Sequence, residues 1–143
     1  MVRKLVMLFF LATVLSACGA SGDTTVPDPP KSAVYAPGAN AKIDGVIAGW
    51  QTGAWGEMTK DGVKAESKLE KVYTSTASLD ELNAFYNSLV DKGWMRVSAM
   101  PGVKAPYLLS GYDHGTTSLV VGAIDATQFG GTGTVIYTLK GVK

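Results

Sequence analysis

Cysteine and histidine are almost absent from this chain, at one residue each in 143, and that scarcity excludes a good deal of chemistry. A single thiol cannot close an intrachain disulfide, so stability must come from an apolar core. One histidine without cysteine ligands cannot assemble the usual zinc site. A serine triad would need His114 as its base, and no G-x-S-x-G elbow supplies a nucleophile. An excess of positive charge is missing too, since 13 Lys and Arg stand against 12 Asp and Glu. That balance leaves no electrostatic grip on a phosphate backbone and excludes nucleic acid as a partner. The Gly130 to Gly133 cluster lacks the Lys-Ser/Thr ending of a P-loop, and no helix pattern follows it. Asp44, Asp61, Asp113 and Asp125 stand singly near glycines, as turn residues do, without the alternating acidic pattern of a calcium loop. No metal or other cofactor is implied.

The lone cysteine sits in an informative place. Arg3 and Lys4 form a positive n-region, Leu5 to Leu15 an apolar h-region, and Ser16 and Ala17 are small residues directly before Cys18. The run is too short for the ~20 apolar residues of a membrane span, and Gly19 to Asp23 follow it at once. Leu15-Ser16-Ala17-Cys18 resembles the lipobox of bacterial lipoproteins, in which the thiol is diacylated, the leader is removed and the cysteine becomes the first residue. The resemblance implies a signal peptide over 1–17 and a lipidated Cys18. Two or three acyl chains, at ~0.8 kcal/mol per buried CH₂, would anchor the protein durably in the cell envelope. Gly19 takes the place of the aspartate that commonly retains lipoproteins in the inner membrane. By that resemblance the protein sorts to the periplasmic face of the outer membrane in a Gram-negative cell, and otherwise to the extracytoplasmic face of the plasma membrane. Losing Arg3 and Lys4 with the leader takes the 13 cations to 11 against 12 carboxylates, so the mature chain stays near neutral.

Residues 18–33 read as a lipidated N-terminus and flexible tether, because Gly, Ser, Thr and Pro27-Asp28-Pro29-Pro30 have little to bury and favour extended chain. A single domain of roughly 100 residues follows over 34–143. It opens on Val34 to Ala39, an extended segment with a Pro-Gly turn. Over about 44–62, four glycines interrupt Val46, Ile47, Trp50, Trp55 and Met58. Each glycine costs a helix roughly 1 kcal/mol relative to alanine, so this stretch reads as an irregular Gly/Trp-rich loop. Trp50 and Trp55 there either pack on the domain or form a contact surface for a partner, ligand or lipid.

The clearest element begins at Ser78. Ser78 and Glu81 have the spacing of a capping box. Leu82, Phe85, Tyr86, Leu89 and Val90 then fall on one helical face, leaving Asn83, Asn87 and Asp91 toward water. Gly93 can stop the helix in a left-handed conformation, so the spacing predicts one main amphipathic helix over about 79–92. Strand character appears before it at Leu69 to Ser75. After it come Trp94 to Ser98, Tyr107 to Asp113, Thr116 to Ile124 and Thr134 to Leu139, with His114-Gly115 as a solvated hairpin turn. The fold class is α+β, one helix lying across an antiparallel sheet with a strand before it and a meander after it.

Tyr35-Ala36-Pro37-Gly38-Ala39, Tyr73-Thr74-Ser75 leading into Leu82-Asn83-Ala84-Phe85-Tyr86, and Lys92-Gly93-Trp94 together resemble a module that recurs in uncharacterised bacterial lipoproteins. The likeness covers most of residues 34–139, leaves 41–68 unmatched, and implies fold without implying an activity. No catalytic residue is assigned, and the chain reads as a non-enzyme. Two functions remain. One is a structural or protein-interaction role, with another envelope protein as partner. The other is a small-ligand or lipid carrier, with a pocket between helix and sheet lined by Tyr86 and Trp94 and the glycine-rich loop as its lid.

Overall fold

Strand-forming runs separated by glycine turns pair into one antiparallel sheet. The computed structural model describes residues 22–143. The leader read over 1–17 and Cys18 lie outside the described residues. The elements are β1 (Ser32–Val34), α1 (Ala41–Lys60), β2 (Leu69–Ser75), α2 (Leu79–Asn87), β3 (Met95–Arg96), β4 (Gly102–Lys104), β5 (Tyr107–His114), β6 (Thr117–Asp125) and β7 (Thr134–Val142). The sheet runs β1-β2-β7-β6-β5-β3, with β4 also paired to β5. The fold is α+β.

The predicted helix forms as its sequence dictates. The Ser78 hydroxyl accepts from the Glu81 amide at 3.2 Å, and the Glu81 carboxylate accepts from the Ser78 amide at 2.7 Å. A 3₁₀ turn over Ser88–Lys92 continues α2, and Gly93 ends it in the left-handed region. Leu82, Tyr86 and Leu89 are buried, as is Trp94 beyond the stop. Three details differ from expectation. Phe85 is only half-buried. Val90 is 48% exposed, because the tighter turn, about three residues per revolution, rotates it off the buried face. Asn83 and Asn87 are half-buried, and Asn87 accepts a 2.8 Å hydrogen bond from the Tyr112 hydroxyl.

The stretch read as a loop over 44–62 is instead a 20-residue helix, α1. Asn40 caps it, its side chain accepting from the amides of Lys42 and Ile43. Ile43, Ile47 and Met58 are buried beneath it, with Val46, Trp50 and Ala54 packed alongside. Burial of this stripe outweighs the glycine penalty, since tertiary packing supplies most helical stability in a folded chain. The domain therefore has two helices, one on each face of the sheet. On β6, Leu119, Val121 and Ala123 join the core under α2, while Ile124 and the partly buried Val120 join the core under α1.

The expected tether is also more ordered than its composition implied. In its described part, 22–33, Pro29 is buried and β1 pairs with β2. The Pro30 carbonyl accepts from the Ser75 hydroxyl at 2.7 Å, and Asp28 accepts from the Tyr73 hydroxyl and Lys71. Prolines suit this role, because the segment lies along the sheet without needing ladder donors of its own.

Candidate functional site

Four glycines on three elements shape the meeting of α1 with the sheet, Gly122 by letting Trp50 come close and Gly49 and Gly53 by leaving space beside it. Gly49 and Gly53 sit four apart and so share one side of the helix, while Gly111 on β5 and Gly122 on β6 face them from the sheet. A Cβ at Gly49 or Gly53 would meet nothing within 4 Å. Between these surfaces lies a half-open groove of about 370 Å³. Trp50, Met58, Leu109 and Val120 give it apolar walls, and Val97 and Met100, from the segment joining β3 to β4, close its outer side. Its volume falls within the ~300–1,000 Å³ of small-molecule sites.

The groove is polarised along its length. Asp113 pairs with Ser118 across the β5–β6 hairpin, Ser118 pairs with Gly141 of β7, and Val63, just past the end of α1, packs against Gly141. The C-terminal end of α1 thus lies over the hairpin end of the sheet, and Glu57 and Asp61 line the groove there with Asp113. Glu57 is paired with Lys60 at 2.6 Å, and the Ser118 hydroxyl donates to Asp113 at 2.6 Å. Among the described residues, no Lys or Arg lines the groove. At the other end, Leu109 pairs with Gly122 beneath Trp50.

Trp50 and Trp55 do not form one surface. Five helical residues separate them by about 140° around the axis. Trp50 is half-buried over Gly122, with its ring edge-on to Tyr107 at 6.1 Å between centroids. Trp55 lies on the other flank, where the Lys68 ammonium sits 4.9 Å from its ring centroid and also pairs with Glu70 at 3.1 Å. Burial and the Glu70 carboxylate push the Tyr137 hydroxyl well above its ordinary pKa, so it stays protonated beside Glu70. At the start of α1, burial and the Asp44 carboxylate push Tyr35 up to about 12.

His114 is not a solvated turn residue. It ends β5, and the two-residue turn is Gly115-Thr116, with Gly115 at φ +58°. Its ring stacks at a tilt on Trp94, 5.6 Å between centroids, and a Cβ on Gly22 would come within 2.6 Å of it. In place of the pocket expected between Tyr86 and Trp94, both side chains are buried, and the space beside Tyr86 is only about 30 Å³. The cavity is instead on the opposite face, under the helix that the glycines concealed. Two signals pointed to it. Glycines inside strands mark close backbone approach or a missing side chain. The unbroken apolar run Leu119 to Ile124 is the pattern of a strand covered on both faces.

Compared with known proteins, the chain matches no family model, no curated protein and no solved structure. Among the described residues, no group of three His, Cys, Asp or Glu side chains is placed to hold a metal ion, and no helix is long and apolar enough to cross a membrane.

Proposed function

We propose that this protein is a non-catalytic envelope lipoprotein, held to a bacterial membrane through lipid on Cys18, whose domain binds an apolar ligand in the groove beneath α1. The groove itself carries the reading: it is large enough for a small molecule, apolar along its walls, and left open on the α1 side by Gly49 and Gly53, where ordinary side chains would project. The Leu15-Ser16-Ala17-Cys18 tetrad supports the anchor, and Gly19 supports outer-membrane sorting in a Gram-negative cell. The resemblance to uncharacterised lipoproteins is consistent with an α+β domain that acts by contact. The protein-interaction reading is favoured by one further observation. Met95 is 68% exposed on β3, beside the segment that closes the groove. An unbranched thioether there suits an adaptable contact.

The test uses the full-length protein in nanodiscs of zwitterionic phosphatidylcholine and a neutral photoreactive decanol. Labelling should map to the segment carrying Val97 and Met100, and Gly53→Leu, which fills the groove without a clash at its Cβ, should abolish it. Labelling spread evenly to the exposed Val90 on α2 would overturn the reading.

A further inference from the structure

The two ends of the groove differ in charge, and that difference selects among apolar ligands. Asp61 and Asp113 both line the hairpin end, and neither has a cationic partner within 4 Å among the described residues. Lys60, whose charge reaches Asp61, is paired with Glu57. The Glu57, Met58 and Thr59 carbonyls that end α1 accept from the amides of Asp61, Val63 and Gly62, so the charge at this end is that of the carboxylates. The opposite end, under Trp50, is apolar and is shaped by Gly122. An indole face also attracts cations, but Trp50 is half-buried against β6, so the place left for a charged head is the acidic end.

We infer that the groove takes a small amphiphile with an ammonium head and an apolar tail, the head between Asp61 and Asp113 and the tail along α1 toward Trp50. The inference rests on the ligand-binding reading above and adds the sign and position of the head group. An anionic amphiphile with the same tail would meet two carboxylates, with no Lys or Arg among the described lining residues. Like charge would repel its head from Asp61 and Asp113. A neutral amphiphile fills the same apolar volume without gaining from the charge.

Two photoreactive probes with one tail separate these cases, a decyltrimethylammonium and a decyl sulfate, applied to the full-length protein in the same zwitterionic nanodiscs at matched membrane concentration. The ammonium should label the Val97 to Met100 segment at least ~tenfold more efficiently than the sulfate. Asp61→Asn with Asp113→Asn should bring the two probes together by lowering ammonium labelling, with an unchanged melting temperature showing the fold intact. Equal labelling by both probes, or preference for the sulfate, with the decanol still labelling, would overturn the head-group assignment and leave the binding groove standing. Preference for the ammonium that persists in the double variant would also overturn it. Loss of decanol labelling in the unmutated protein would remove the groove reading itself.

Discussion

A Cβ on Gly122 would stand 2.7 Å from Cε3 of Trp50, so α1 reaches the sheet at this point only because β6 carries no side chain there. The contact orders the indole against β6 and sets the width of the groove beside it. Gly122→Ala should therefore cost roughly 1–3 kcal/mol through overpacking, read as a lower denaturant midpoint. Gly53→Ala is the opposite case, a helical glycine with open space around it. It should stabilise the protein by about 0.5–1 kcal/mol. Equal effects of the two substitutions would mean that Trp50 is not seated on Gly122.

The helix α2 yields a graded series. Leu82 is fully buried, so Leu82→Ala should cost about 2–5 kcal/mol in chemical denaturation. Phe85 is half-buried, and Phe85→Ala should fall short of the ~3–5 kcal/mol of a fully buried ring. Ser78→Ala removes one half of the capping box and should cost about 0.5–2 kcal/mol. A larger loss at Phe85 than at Leu82 would place the wrong face of α2 against the sheet.

Buried tyrosines set the alkaline limit. Burial and Asp44 raise Tyr35 to about 12 against an ordinary value of 10.0. Tyr137 is raised by burial and Glu70, and Tyr86 mainly by burial. In each case the unfolded state gives up its proton first. The stability that protonated tyrosine contributes is whole below about pH 10 and is lost as pH rises through the folded values. Melting temperature should fall across that window as tyrosinate absorbance appears. Tyr137→Phe, which cannot ionise, should flatten the fall, and an unchanged slope in that variant would show that Tyr137 does not titrate in this window with a raised pKa.

The part of the fold legible in the sequence is the part whose local and global preferences agree. The strand over Leu69 to Ser75 and the capped helix at Ser78 each carry a period and a boundary signal of their own. The helix α1 was hidden because its propensity and its packing disagree. Four glycines argue against a helix, and the burial of Ile43, Ile47 and Met58 decides for one. The groove was hidden for a related reason. Its shape depends on Gly49 and Gly53 facing Gly111 and Gly122, residues far apart in the chain that come together only through strand register and helix docking. One residue of turn geometry separates a His114-Gly115 turn from the Gly115-Thr116 turn of the structure, and it sets His114 at the end of β5 and onto Trp94.

That placement makes His114 a packing residue, and its replacement tests the absence of catalysis. The ring touches Trp94 and leaves no room for a Cβ on Gly22, so His114→Ala should lower stability modestly while leaving decanol labelling of the groove unchanged. Loss of cellular function in a stable, correctly located His114→Ala protein would overturn the non-catalytic reading.

Anchoring is tested upstream of the described residues, at Cys18. If the tetrad ending there is a lipobox, Cys18→Ala should leave an unprocessed precursor that takes up no labelled fatty acid. The domain is tied down from Asp28 onward by Tyr73, Lys71 and Ser75. The same substitution should therefore leave its melting temperature unchanged, separating loss of the anchor from loss of the fold. Normal labelling and maturation of Cys18→Ala would remove the lipoprotein assignment, and with it the reason to place the groove at a membrane surface, where an amphiphile reaches it by leaving the bilayer rather than by crossing water.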